Sequence, residues 1–234
     1  FELGLIRKYE RHVIKTFPKV VLVSQNDIDY LKKSTGLPCE NLFCHTNGVN
    51  CAENLNKNYD RNKICFVGNM RTLQNQDAVL FFVNEVFPIV KKQNPDAKFY
   101  VVGAEPSEQI KSLSDGKSVF VTGFVENLED ASYDSCVAVA PVRIAAGIQN
   151  KVLVAMGCGV PVVMSALISA AIPELSNGKN CIIKDSATDI AESVVRLMSD
   201  ESYRNSIAEN GYRTVKENYS WNKKLDGYED IAQN

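Results

Sequence analysis

From Ile64 onward one pattern recurs: a short run of β-branched or aromatic residues, then a stretch with helical spacing. The runs are Ile64–Val67, Lys98–Gly103 (KFYVVG), Val119–Gly123, Cys136–Pro141 (CVAVAP), Pro161–Ser165 (PVVMS) and Cys181–Lys184. Each is nearly continuous in apolar residues instead of alternating, as strands buried on both faces are. The clearest intervening helix is expected over Gln76–Gln93, with Ala78, Phe81, Phe82, Val86 and Ile89 at helical spacing. Apolar strands alternating with helices predict an α/β fold, a Rossmann-like parallel sheet covered on both faces. Right-handed crossovers then gather the loops after the strands along one edge, where ligands bind in such sheets.

The flanking segments read differently. Residues 1–46 suggest a helix over Leu5–Lys15, a strand Val20–Ser24 (VVLVS) and a helix Asn26–Ser34. Asn26 is the expected cap of that helix, with Asp27 and Asp29 in its first turn. The polar stretch Thr46–Lys63, with an Asn47-Gly48 turn signal, reads as a linker. Helices are expected at Ala187–Met198, Glu201–Asn218 and Trp221–Ala232. The domain expectation is therefore a remnant of another α/β domain over 1–46, a hinge over 47–62, the main domain over 63–218, and a terminal crossover helix over 219–234. Phe1 opens the chain inside a charged helix, so a piece of a longer protein is expected.

Composition narrows the function classes. With 45% hydrophobic residues the chain is not globally disordered. A formal net charge of −2 argues against a dedicated nucleic-acid binder. The longest apolar stretch, Ala78–Val90, is interrupted by Asn84, Glu85 and Pro88 and is too short to span a bilayer. Seven cysteines form an odd set without a C-x-x-C pair, which fits a reducing, cytoplasmic compartment. Cys39, Cys44, His45 and Cys51 have zinc-type side chains, but their spacing matches no common zinc module, so no metal is expected.

Two loops carry candidate chemistry. After the first strand of the main domain comes Gly68-Asn69-Met70-Arg71: a glycine there lets backbone approach an anion, and an arginine can pair with phosphate. The other reading is a tight turn with a solvated arginine, and the G-x-G-x-x-G spacing of a dinucleotide site is lacking. After the fourth strand, Arg143 to Lys151 contains small residues, Gly147 and Ile148, and then opens a helix running to about Met156. Free N–H groups at such a helix start, with Arg143 and Lys151 nearby, make an anion site; a compact strand-to-helix turn is the alternative.

The helix and the strand after it carry a more specific signal: Lys151-Val152-Leu153-Val154-Ala155-Met156-Gly157-Cys158-Gly159-Val160-Pro161-Val162-Val163. This resembles the C-terminal, donor-binding half of the group 1 glycosyltransferases of GT-B fold, whose hallmark is K-x-L-E-A-M-A-x-G-x-P-V-V. Asn47-Gly48-Val49 is similar to the interdomain hinge of that family. Asp77-Ala78 with Phe81-Phe82, Thr122-Gly123-Phe124-Val125 and Tyr219-Ser220-Trp221 also fall where the family has comparable stretches.

The resemblance implies transfer of a sugar from a nucleotide-diphosphate donor to a glycan or lipid-linked acceptor, in polysaccharide or glycan assembly, with no metal or other cofactor. It implies a diphosphate site from Gly68, Asn69, Arg71, Arg143, Gly147, Ile148 and Lys151. Gly123, Phe124, Val125 and position 154 would frame base and ribose. The family's glutamate pair E-x-x-x-x-x-x-x-E is here Ala146 and Val154, and Val154 cannot bond ribose hydroxyls; Glu126 and Glu129 are candidate substitutes, although capping, solvent-facing glutamates are the expected reading of both. No general base is identified, and His12 and His45 are the only histidines. Two further readings stay open: a degenerate, non-catalytic binding module, and a sugar-nucleotide epimerase-type enzyme of the same fold. The expected partners are the donor, the acceptor and the missing N-terminal domain. The mild basic excess of the first 33 residues leaves peripheral contact with the inner face of the membrane open. Alone, the chain is expected to bind better than it catalyses.

Overall fold

The computed structural model describes residues 2–55, 58–126, 132–144 and 148–233, apart from the side chains at 230, 232 and 233. It opens with helix α1 (Glu2–Thr16), strand β1 (Val20–Leu22), helix α2 (Gln25–Thr35) and strand β2 (Leu42–Cys44). β1 and β2 pair in parallel, over a small core of Ile14, Ile28, Leu31, Cys39 and Leu42. The cap of α2 is Ser24 and not Asn26: Ser24 has extended backbone and its Oγ accepts the Asp27 amide at 3.1 Å. Gly36, left-handed at φ 62°, ends the helix as a C-cap glycine does. β2 has only three residues and no apolar alternation, so it left no trace in the sequence pattern.

The main sheet comprises β3 (Asp60–Val67), β4 (Lys98–Val102), β5 (Val119–Gly123), β6 (Ser135–Ala140), β7 (Val162–Met164) and β8 (Ile182–Ile183). All adjacent pairs are parallel, in the order β5-β4-β3-β6-β7-β8. β3 starts earlier than expected and takes in Asp60–Lys63, which the sequence suggested as linker. These polar residues extend the strand toward the sheet margin, where backbone pairing needs no apolar side chain. Asp60 donates its amide to the Asp134 carbonyl at 2.8 Å.

Helix α3 (Leu73–Phe81) begins three residues before the expected Gln76. It then passes through a π turn (Phe82–Val86) into α4 (Phe87–Gln93). Pro88 has no amide hydrogen to give to Asn84, and the Phe87 amide bonds back to Phe82. The wider turn buries both Phe81-Phe82 and Val86-Phe87, and Phe82 and Phe87 meet Phe99 of β4 with ring centroids 4.4 and 6.0 Å apart.

Short α5 (Glu108–Lys111) precedes β5; α6 (Asn150–Gly157) joins β6 to β7; α7 (Ala166–Ser169) follows β7. The tail is α8 (Ala187–Ser199), α9 (Glu201–Asn218) and α10 (Trp221–Gln233). α8 packs on α4, and α9 packs on α6, giving each face of the sheet a helical layer. α10 turns back toward the first segment. The Trp221 amide reaches the Val49 carbonyl at 3.3 Å, His45 meets Tyr228 edge-on with centroids 4.1 Å apart, and Lys19 donates to the Ile231 carbonyl. Among the described residues no helix is long and apolar enough to cross a membrane.

Candidate functional site

The strand order reverses direction between β3 and β6, since the chain runs outward from β3 through β4 to β5, then returns to β6 on the other side. At such a switch point the loops after the two strands diverge and leave a crevice at the strands' carboxyl ends. The described residues that bound this crevice are Gly68–Thr72 after β3 and 141–144 with 148–149 ahead of α6. They include parts of both stretches singled out in the sequence.

The turn after β3 is tightly laced. The Gly68 amide donates to the Val102 carbonyl at 2.9 Å, and the Met70 amide to the Ala104 carbonyl at 2.9 Å. The Arg71 amide closes a turn on Asn69 Oδ1 at 2.9 Å. A Cβ on Gly68 would stand 2.7 Å from Asn75 Nδ2, so a glycine is required for this approach. Asn75, in the first turn of α3, is buried and donates Nδ2 to the Asn69 carbonyl at 2.8 Å.

The Oδ1 of the same amide accepts the Lys151 ammonium, in the first turn of α6. Lys151 Nζ also lies 4.8 Å from the centre of the Phe66 ring. Burial lowers the Lys151 pKa to about 8, with no charged group offsetting it. Among the described residues no carboxylate is within ion-pair distance of it. A partly buried cation whose contacts among the described residues are a neutral amide and a ring is costly unless an anion joins it.

The two candidate arginines are already engaged. Arg143 grips both carboxylate oxygens of Asp77, Nε to Oδ2 at 2.9 Å and Nη2 to Oδ1 at 2.6 Å, and stacks 4.7 Å from the Phe81 ring. The pairing lowers the Asp77 pKa, mainly through the hydrogen bonds from Arg143. Arg143 borders a cavity of about 330 Å³ whose walls include Val142, Ser165, Leu167 and Ile190. Arg71 meets Glu105 at 3.3 Å in an exposed pair.

The other candidates are spread along the same edge. Ile148 is half-buried beside the main core, just ahead of α6, whose start is Asn150 and whose cap position is Gln149. Gly123 ends β5 with φ 74°, followed by exposed Phe124 and half-buried Val125. β5 lies two strands from β3, about 10 Å away by ordinary strand spacing. Val154 is half-buried on α6 against the core and offers no polar atom. Gly147, Ala146 and Glu129 lie outside the described residues, and Glu126 is exposed.

The sequence reading missed Asn75 and Gly103. The signal for Asn75 was its place in the first turn of a helix that comes after a glycine turn. Gly103, after β4, shows itself only in three dimensions, through its contact with Gly68. Of the expected zinc-type residues, Cys39 is buried and Cys44 exposed, and His45 Nε2 bonds the Lys224 carbonyl at 2.6 Å. Among the described residues no three histidine, cysteine or acidic side chains group as metal ligands would.

A family model described as glycosyl transferases group 1 matches residues 61–200. An uncharacterised 44.6 kDa protein in the cps region of Klebsiella pneumoniae is 25% identical over 231 residues, covering 95% of this chain and 58% of its own length. The structure of S. aureus TarM with fondaparinux, alpha-GlcNAc-glycerol and UDP superposes with a TM-score of 0.78 at 20% identity, over 96% of this chain and 45% of that one. Anabaena HepE in complex with UDP and glucose gives 0.78 at 14% identity, over 99% of this chain and 67% of that one. Both structures share its fold, and the chain spans about half the length of the curated relatives it matches.

Proposed function

Because the chain belongs to the group 1 glycosyltransferases, we propose that the crevice between β3 and β6 binds the diphosphate of a nucleotide-sugar donor. The whole protein then transfers that sugar to a glycan or lipid-linked acceptor. The observation that carries this reading is Lys151: a half-buried ammonium at the switch point whose hydrogen-bond partner among the described residues is a neutral amide. A donor's diphosphate would supply the missing negative charge.

In this reading Lys151 and the N–H groups at the start of α6 meet the charge that grows on the departing diphosphate. A preorganised, partly buried cation is worth more there than in bulk water. The turn Gly68–Arg71 bounds the other side, and Arg71, whose exposed pair with Glu105 costs little to break, is free to swing onto a phosphate. Arg143 acts at longer range, since it is committed to Asp77. Gly123, Phe124 and Val125 frame the base at the edge of the sheet, Ile148 stands just ahead of α6, and we assign Gly147 to the same diphosphate site from its place in the sequence. No metal or cofactor is invoked.

Uridine diphosphate is the first nucleotide to test, because TarM and HepE were solved with it. The cps-region relative favours a polysaccharide context. We place residues 1–46 in the acceptor-side domain, 47–59 as the hinge, 60–218 as the donor domain, whose sheet begins with β3 at Asp60, and 219–234 as the crossover helix, in a protein working at the cytoplasmic side of the membrane. Calorimetric titration of the folded chain with UDP, GDP and ADP is expected to find one binder, and silence with all three would overturn the reading.

A second reading, a binding module without turnover, is favoured by Val154 alone. A lost charge-assisted contact to the ribose is worth about 1.5–3 kcal/mol, or roughly ten- to a hundredfold in affinity. Val154→Glu tests whether Val154 causes such a deficit. A gain of that size means that the ribose lacks a partner in the native chain; no gain means that another group holds it.

A further inference from the structure

We infer that Asn75 is a positioning residue of the diphosphate site, holding the Lys151 ammonium toward the crevice without cancelling its charge and fixing the turn that faces it. The inference rests on the crevice being that diphosphate site. Asn75 is 5% exposed and both ends of its amide are in use. An ammonium can only donate, so the atom facing Lys151 is the oxygen, and the NH2 group is left to reach the Asn69 carbonyl at 2.8 Å. The orientation of the amide is thereby decided by its partners.

The same Asn69 carbonyl also takes the Thr72 hydroxyl at 3.1 Å and the Thr72 amide at 3.3 Å. Asn75 thus pins the pivot of the Gly68–Arg71 turn, and Gly68 backbone lies directly on its amide. One side chain links the two loops that bound the crevice.

The choice of an amide has a chemical consequence. An aspartate fills the same volume but would neutralise Lys151 in a buried ion pair, leaving little attraction for a second anion. An aliphatic residue would leave the ammonium with only the Phe66 ring. Asparagine is the isostere that accepts a hydrogen bond and keeps the cation charged. The surroundings fit. β3 offers Lys151 the Phe66 ring and α3 offers the Asn75 amide, while Asp77 of α3 is taken by Arg143 and Glu105 by Arg71. The pKa of about 8 has burial as its cause, as an unneutralised cation requires.

The test uses the 234-residue chain, its variants Asn75→Asp and Asn75→Ala, and lysines labelled at Cε. The Lys151 signal is assigned by its absence in Lys151→Met, and its titration midpoint is read by NMR without any ligand. The expected midpoint is near pH 8 in the native chain, more than about one unit higher with Asn75→Asp, and lower with Asn75→Ala. UDP affinity at pH 7, by calorimetry, is expected to fall at least about tenfold with Asn75→Asp. A purely structural role would lower the melting temperature of both variants and leave the midpoint where it was. A midpoint unchanged to within about 0.3 units in the folded Asn75→Asp variant overturns the inference. If the native chain binds no nucleoside diphosphate, the functional reading fails, while the midpoints still judge whether Asn75 governs Lys151.

Discussion

A Cβ placed on Gly103 would stand 1.8 Å from the carbonyl oxygen of Gly68, because the loops after β4 and β3 meet backbone to backbone. Gly103 also has φ 150°, in a region that side chains avoid, and its amide bonds the Gly123 carbonyl at 3.1 Å. Three neighbouring strand ends are joined through this one residue. Gly103→Ala is therefore expected to destabilise the chain by about 3 kcal/mol or more, because the obstacle is backbone and cannot rotate away. Chemical denaturation measures it; a loss below about 1 kcal/mol would contradict the geometry.

Lys151 sets function against stability. Its folded pKa, about 8, lies below the value of about 10.4 expected for the unfolded chain. Below pH 8 folding carries the full cost of burying the charge. Between those two values the unfolded state holds more protons, so stability rises with pH. Lys151→Met is expected to stabilise the ligand-free chain by about 1–3 kcal/mol at pH 7 and to remove that rise. In the native chain, nucleotide affinity should fall as pH increases through 8. A less stable Lys151→Met chain would count against the uncompensated cation.

The Arg143–Asp77 fork is half exposed, with side-chain exposures of 50% and 29%. Its lowered Asp77 pKa makes its contribution present above about pH 4 and lost as pH falls further. Solvent screening limits that contribution to about 1 kcal/mol. Asp77→Asn should thus destabilise by no more than that at pH 7, and by less as acid protonates the native carboxyl. Denaturation midpoints followed from pH 7 into acid decide it.

Asp115 organises the turn into β5. Its carboxylate accepts the amides of Lys117, Ser118 and Val119 at 2.8, 2.7 and 2.9 Å, and the Ser118 hydroxyl at 2.7 Å. These bonds hold its pKa well below the usual carboxylate range, the Val119 amide contributing most. Asp115→Ala is expected to cost about 1–2 kcal/mol near neutral pH, an effect that shrinks as acid protonates the native carboxyl. An equal loss at pH 7 and in strong acid would show that the bonds are not the cause.

Gly48 lies against Trp221, where a Cβ would come within 2.6 Å of the ring and 2.8 Å of the Trp221 Cα. Gly48→Ala should lift α10 from the hinge. Hydrogen exchange is expected to accelerate over 221–233 and to stay unchanged in β3, β4 and β6. Unchanged exchange in α10 would mean that the contact is not needed there.

The parallel sheet was legible because its strands are apolar on both faces, a pattern that needs no knowledge of neighbours. Expected and observed strands coincide at Val119–Gly123 and nearly so at Lys98–Val102 and Ser135–Ala140. Where polar residues extend a strand, as at Asp60–Lys63, the side chains carry no sign of the pairing. The π turn escaped for a related reason: Pro88 was visible, but its effect on helix register depends on which phenylalanines the core must bury. The short β2, which rests on its pairing with β1, was missed in the same way.

The family and the carboxyl edge on which its candidate site lies were decided by local order: glycine turns, a Lys151-to-Val163 signature and alternating elements. Which cations stand free was decided only by tertiary structure. Arg71, Arg143 and Lys151 are equivalent as letters, each basic and each beside a glycine or small-residue turn. Folding brings Glu105 to the first and Asp77 to the second, and gives the third a buried amide from a helix 76 residues away. Charge depends on what lies within a few ångströms, and the chain sets those neighbours only once it has closed on itself.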